Sequence, residues 1–402
     1  MSKKTTSQST VSENNSLPPF IMTSDKNSFA HQTIKKRKPH IINQILELGD
    51  FTPRIRESLL DFKIEMSSGR IKPLHESTSD LPIWQQDIEP WLGKTWFEIP
   101  WFLAEAFFYR RILEITHYFQ PGPFMGVDPF EPLKTKEMLE GLSVFNHIYP
   151  SIVPEGHLEG FQQVCNKALW GNRGDLSLIN DLDPSMETQS HRIILDHTKN
   201  AYQFLTAKEP SKVAYIFDNA GKELFFDLAM IDYLIQTELA LEVTCYLKCQ
   251  PFFVSDTMPK DLFKTLAIMT TSGESTIQQL GKRVESHIKS GIIRIEAPPF
   301  FTYGRMYREM PPVLQAQIRS HDLTVFKGDA NYRRLMGDRL WPSSTPIEVA
   351  SEYFPTAYLS LRTLKSELIL GLSEDVLDKV KQESDPNWLT NGKRGVITFL
   401  EK

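Results

Sequence analysis

Apolar residues fall at two different spacings along this chain. From about residue 39 to 120 they recur every three or four positions, as in Ile42, Ile45 and Leu46. That is the period of helices with one buried face. An aromatic-rich part of this stretch carries Trp91, Trp96, Trp101, Phe102, Phe107 and Phe108, and reads as an inward-facing helical stripe. Further helical stretches cover 138–142 and 161–169. From about residue 212 the pattern changes. Short apolar runs at 213–217, 239–247, 292–295, 323–327 and 357–361 alternate with amphipathic stretches at 224–235, 260–269 and 276–289. This alternation predicts an α/β fold, a parallel sheet covered by helices on both faces, preceded by a helical part. The expected divisions are 1–38, 39–205 and 206–402. Residues 1–38 hold few large apolar residues and no periodicity, so they are expected to be a disordered polar tail. The basic cluster Lys35-Lys36-Arg37-Lys38 reads as its solvated end.

Four polar clusters are placed at predicted strand ends. Asp218-Asn219 follows 213–217. Ser255-Asp256-Thr257 follows an apolar run at 251–254, taken as extended. Gly328-Asp329-Ala330-Asn331-Tyr332-Arg333 follows 323–327, and Arg362-Thr363-Leu364-Lys365 follows 357–361. Parallel strands bring their C-terminal ends to one edge, where ligands bind in open α/β sheets. Asp218, Asn219 and Asp256 are hard oxygen donors of the kind Mg²⁺ or Mn²⁺ takes. Arg333 and Lys365 are cations suited to phosphate, and the turn at Gly328 can aim backbone N–H groups at an anion. Together they equip the edge for metal-assisted hydrolysis of a phosphate ester. Any one of these residues alone is most often a cap, a turn residue or a surface charge; their joint occurrence at four strand ends favours a site.

Composition narrows the field without naming a function. The chain has 402 residues, 41% apolar and 24% charged, with a net charge of −5. There is no global basic excess of the kind nucleic-acid binding uses. Three cysteines argue against a disulfide framework, and Cys245 and Cys249 lack partners at zinc-binding spacing. No apolar run is long enough to span a membrane and the N-terminus lacks a signal-like apolar stretch, so a cytoplasmic protein is expected. Gly281-Lys282 lacks the rest of a phosphate-binding loop, and no glycine-rich dinucleotide or methyl-donor loop follows a strand. Asp181-Leu182-Asp183 has no preceding apolar strand and reads as a loop.

In these motifs the chain resembles the metal-dependent damage-control phosphatases, in particular the acidic-residue-methyltransferase-like subgroup. The resemblance rests on Asp218-Asn219-Ala220-Gly221-Lys222-Glu223-Leu224 with Asp227, on Phe253-Val254-Ser255-Asp256, and on Phe326-Lys327-Gly328 through Arg333. It extends to Leu361-Arg362-Thr363-Leu364-Lys365, Trp170-Gly171-Asn172 with Asp175-Leu176-Ser177, Glu105 with Tyr109-Arg110, and Asp128-Pro129-Phe130. Ala330 departs from the larger apolar residue common in the subgroup. The resemblance implies a three-layer α/β/α domain with a mostly parallel sheet plus a helical N-terminal domain. It implies a divalent metal (Mn²⁺, Co²⁺, Ni²⁺ or Mg²⁺) on Asp218, Asn219 and Asp256, with Asp218, Asp256 and Lys365 as catalytic residues. Substrate contacts are expected from Asp218, Asn219, Asp329, Ala330, Asn331, Tyr332, Arg333 and Lys365, with Glu105 roofing the sugar. Glu223 and Asp227 are expected to support or cap rather than to ligate. The implied substrate is a small phosphorylated metabolite such as fructose 1-phosphate, with no nucleic acid, membrane or obligate protein partner. Two rival readings are a carboxyl methyltransferase using S-adenosylmethionine and a non-catalytic sugar-phosphate-binding protein.

Overall fold

The computed structural model describes residues 17–149, 156–171, 192–207, 210–383 and 385–402. Its centre is a seven-stranded sheet in the order β1-β7-β6-β5-β2-β3-β4. The strands are β1 Ile193–Asp196, β2 Ser211–Ile216, β3 Ala240–Tyr246, β4 Ile293–Glu296, β5 Leu323–Lys327, β6 Ala357–Thr363 and β7 Gly395–Leu400. Neighbours pair in parallel except β6 with β7. The five expected strands are present. The weak signals of β1 and β7 were not recognised: β1 has four residues, and β7 runs antiparallel at the end of the chain.

Helices cover both faces because alternate side chains of the central strands point to opposite layers. Val213 and Tyr215 of β2 join the core formed with the helix Lys222–Gln236, whereas Ala214 and Ile216 join the core formed with the helices Pro312–Arg319 and Gly328–Met336. A sheet buried on both sides needs near-continuous apolar strands, which explains why β2, β5 and β6 read as unbroken runs. A third core holds the helical part, with Ile42, Leu59, Phe62, Trp84, Trp96 and Phe107 fully or almost fully buried.

Two expected boundaries shift. The helices Glu131–Ile148 and Leu158–Trp170 bury Phe145, Phe161 and Val164 in the same core as Phe225 and Leu228 of the sheet-covering helix, and β1 precedes residue 206. The α/β layer therefore draws on residues well before 206. The second shift is larger. Within the expected tail, residues 17–38 are built into the fold. Ile21 donates its N–H to Asp338 O at 2.9 Å and accepts from Trp101 N at 2.8 Å, and Ala30, Ile34 and Lys38 are fully buried. Phe29–Gln32 is a helical turn that runs through a π turn, Thr33–Arg37, into the helix Lys38–Leu48. The three cysteines are free. Among the described residues no helix is long and apolar enough to cross a membrane.

Candidate functional site

The C-terminal edge of β2 gathers the expected donors. Past Ile216 the chain turns at Asp218-Asn219 and enters the helix Lys222–Gln236. The loop after β3 folds back against this turn: Thr257 N donates to Asp218 O at 2.8 Å, Ala220 N donates to Ser255 O at 2.6 Å, and Asn219 bridges Asp256. Asp256 is thereby fixed beside Asp218. Residues 251–254 are this loop and not the extended run that the sequence suggested. Phe253 and Val254 have φ of 47° and 66°, a left-handed conformation that costs such residues about 1–3 kcal/mol each. The ring of Phe253, 5.6 Å from Phe102 and 5.2 Å from Tyr109, anchors the strained loop in aromatic packing.

Electrostatics single out the two carboxylates. Burial raises Asp218 well above the usual carboxylate range, and the charges of Glu223 and Asp256 raise it further. Burial likewise raises Asp256, opposed by Lys248, whose ammonium lies 3.1 Å from Asp256 Oδ2. Asp256 Oδ1 is buried and has no hydrogen-bond partner. Asn219 accepts from Ser255 Oγ at 2.6 Å and donates to Asp218 Oδ2 at 2.7 Å and Glu223 Oε2 at 2.9 Å. Gly328, at φ 83°, passes so close that a Cβ would sit 1.9 Å from Asp218 Oδ2. Two crowded carboxylates, one with an orphan oxygen, form a donor set that suits a divalent cation.

These residues line a cleft of ≈ 210 Å³ together with Glu105, Asp329, Ala330, Arg333 and Lys365. Asp329 is held by Arg362 Nε at 2.8 Å and Ser366 Oγ at 3.0 Å. Lys365 makes no ion pair among the described residues, so its ammonium is the uncommitted charge of the inner cleft. Arg333 is different. Its guanidinium binds Glu105 at 2.6 Å and Asp338 at 2.7 and 3.0 Å, and lies 3.4 Å from the centre of the Trp101 ring. It faces the cleft already neutralised. Glu105 also binds Lys38 at 2.8 Å. Burial alone would raise Glu105, but Lys38 and Arg333 outweigh it and hold the carboxyl at about 2.

Two expected contact residues turn away from the cleft. Asn331 accepts from Tyr307 Oη at 2.6 Å and donates to Phe217 O and Lys327 O. Tyr332 is fully buried and accepts from Leu370 N at 3.1 Å. On the helix Gly328–Met336, residues 329, 330 and 333 share the cleft face while 331 and 332 point into the core, as helical spacing requires. Glu223 and Asp227 sit behind the site, both paired with Lys327 at 2.9 and 2.6 Å. Another carboxylate group, Asp128, Glu131 and Asp261, has oxygens within 4.8 Å of one another. Lys134, Lys260 and Lys264 are paired into it at 2.5–3.1 Å, and Lys134 also donates to Asp256 O at 3.0 Å. It braces the Asp256 loop. Of the subgroup's tryptophan-glycine-asparagine loop, 172–177 lie outside the described residues, as does 181–185.

Sequence reading missed the cleft residues Phe29, Arg37, Trp101 and Glu137, and Lys248 behind Asp256. Neither Phe29 nor Arg37 carries a signal beyond one aromatic and one basic residue in a polar stretch.

The family model described as the damage-control phosphatase ARMT1-like domain matches residues 33–380. The chain belongs to that family. The damage-control phosphatase ARMT1 of Mus musculus is 30% identical over 434 aligned positions, covering 95% of this chain and 98% of that protein. Its counterpart in Homo sapiens is 30% identical over 437, with the same coverage. A crystal structure of a DUF89 family protein from Pyrococcus horikoshii superposes with a TM-score of 0.50 at 14% identity, over 91% of this chain and 97% of that one, a likeness of fold. The region matched by the ARMT1-like family model includes Lys38 and every cleft residue except Phe29, and leaves out the anchored residues 17–32.

Proposed function

We propose that this protein is a metal-dependent phosphatase that hydrolyses phosphate monoesters of sugars or related reactive metabolites, of the fructose 1-phosphate type. The observation that carries the reading is Asp256 Oδ1 beside Asp218, without a hydrogen-bond partner among the described residues, in a cleft also lined by Lys365, which makes no ion pair among them. Membership of a family whose curated members are named damage-control phosphatases supports it. Asp218, Asn219 and Asp256 would hold the cation, with Asn219 turning its amide oxygen inward from Ser255. A divalent ion there (Mn²⁺, Co²⁺, Ni²⁺ or Mg²⁺) supplies Lewis-acid polarisation of the phosphoryl group and acidifies water beside it.

The chain's own residues do the rest. Lys365 neutralises charge that grows on the equatorial phosphoryl oxygens. Asp218 and Asp256 orient the attacking water. Asp329, fixed by Arg362 and Ser366, and Ala330 line the substrate side, and Arg333 has N–H groups left after binding Glu105 and Asp338. Glu105 acts through Arg333, holding that side chain against Trp101. The substrate is a small phosphorylated metabolite, and the cytoplasm is the compartment that fits such a pool.

The test is phosphate release from fructose 1-phosphate with added Mn²⁺, Co²⁺ or Ni²⁺, with and without chelator. Asp256→Asn, nearly isosteric, is expected to lower the rate by at least about 100-fold. No release from any sugar phosphate, or release indifferent to this substitution, refutes the reading. Methyl transfer from S-adenosylmethionine to protein carboxylates, or tight sugar-phosphate binding without turnover, would replace it.

A further inference from the structure

The segment that reads as a tail forms one wall of the cleft. Pro19 O accepts from Leu340 N, Ile21 bonds to Asp338 and Trp101, and Phe29 N donates to Glu367 Oε1 at 3.1 Å. The ring of Phe29 stands edge-on to Trp101 at 5.9 Å. The segment then enters the π turn, closed by Lys38 N donating to Thr33 O. A π turn is wider than an α turn and is often found at functional sites. Here it separates two neighbouring cations. Lys38 points inward, fully buried on Glu105, and burial lowers it to about 8 although Glu105 pulls the other way. Arg37 is exposed and lines the cleft mouth. It makes no hydrogen bond or ion pair among the described residues.

The mouth continues into a shallow ledge of ≈ 430 Å³ that shares Phe29 and Arg37 with the cleft and adds Lys36, His40, Gln32 and Thr33. None of the described residues that line the ledge is a carboxylate. The inner cleft is acidic: Asp218, Asp256, Asp329 and Glu105 face Lys365 and the neutralised Arg333, and the exposed Glu137 adds a further carboxylate to the lining. The site is thus polarised, with cation-binding carboxylates inside and uncommitted positive charge at the mouth.

We propose that Arg37 is a specificity-determining residue that grips an anionic group at the end of the substrate remote from the scissile phosphate. The favoured substrates are then phosphate esters carrying a second anion, either a second phosphate or a carboxylate. This rests on the phosphatase reading of the inner cleft. A guanidinium suits the task because it offers paired N–H donors to phosphate or carboxylate oxygens and stays charged. Its anchors, Lys38 on Glu105 and Phe29 on Glu367 and Trp101, hold the segment in place before substrate arrives, so little ordering entropy opposes binding.

The experiment compares fructose 1,6-bisphosphate with fructose 1-phosphate on the full chain loaded with Mn²⁺. Arg37→Ala is expected to raise KM for the bisphosphate at least about tenfold more than KM for the monophosphate, an effect of a single charge-assisted contact. Arg37→Lys should recover part of the difference, and 0.5 M salt should erase it in the wild type, because a charge at an exposed mouth is screened. An equal change in both KM values overturns the proposal. Should the wild type release phosphate from neither compound nor from any other sugar phosphate, the phosphatase reading fails by itself. Calorimetric binding of fructose 1,6-bisphosphate then decides the subsite: a tenfold weaker Kd for Arg37→Ala upholds it, and an unchanged Kd overturns it.

Discussion

Gly328→Ala tests the site at its tightest point. The backbone of Gly328 adopts φ 83°, and a Cβ built there would lie 1.9 Å from Asp218 Oδ2, 2.3 Å from its Cγ and 2.9 Å from its Cβ. The carboxylate oxygen is about 1.5 Å short of ordinary van der Waals contact at 3.4 Å. The left-handed backbone costs an alanine about 1–2 kcal/mol, and overpacking a dense interior adds about 1–3 kcal/mol. The variant should therefore lose roughly 2–5 kcal/mol of stability in urea unfolding, the sum of those two effects. Function should suffer more than stability. Metal-ligand distances tolerate only about 0.2 Å, and a misplacement of about 1 Å at a reacting centre costs about 100-fold in rate. Mn²⁺ affinity by calorimetry should fall at least about tenfold, and phosphate release at least about 100-fold. Asp218 cannot escape by rotating freely, because Asn219 donates to its Oδ2 and Thr257 binds its backbone carbonyl. A folded Gly328→Ala protein that binds Mn²⁺ and turns over within threefold of the wild type would refute the placement of Asp218 as a ligand.

Glu105→Ala should cost about 3–5 kcal/mol in chemical denaturation, since it strips a buried carboxylate from Lys38 and Arg333, both within 2.8 Å of it. The same carboxyl makes stability depend on acid: held at about 2 against an ordinary value of 4.5, it contributes fully above pH 4.5. Its contribution of about 3 kcal/mol fades as pH falls through 4.5 toward 2, and urea midpoints of Glu105→Gln should lack this part of the slope. Deleting residues 1–23 removes Pro19, Ile21 and Thr23, which tie the segment to Leu340, Asp338, Trp101 and Ile99 by backbone bonds. Four such bonds at about 0.5–1.5 kcal/mol each predict a loss of about 2–6 kcal/mol, read as a lower thermal midpoint; an unchanged midpoint would restore the tail reading.

What the sequence carried by itself was local. An apolar run that ends on Asp218-Asn219 and opens a helix is written in consecutive residues, because strand and helix periods show within a dozen positions. The same holds for β3, β5 and β6 and for the polar groups behind β5 and β6, and parallel topology was enough to bring Asp218, Asp329 and Lys365 to one cleft, whereas Asp256 reaches it through the loop that folds back after β3. The tertiary structure decided what depends on distant partners. Phe20, Ile21, Phe29 and Ile34 look isolated among polar residues, yet Phe20, Ile21 and Phe29 meet Arg339, Asp338 and Trp101, and Ile34 joins the core of the helical part. Arg333 reads as a free phosphate cation until Glu105, 228 positions away, neutralises it. Asn331 and Tyr332 read with their neighbours as contact residues until the packing of one helix turns them inward. Lys38 and Arg37, adjacent in a basic run, part company at a π turn, one to a buried carboxylate and the other to the mouth of the site. Burial and charge pairing are sums over the whole fold, so no local stretch of sequence contains them.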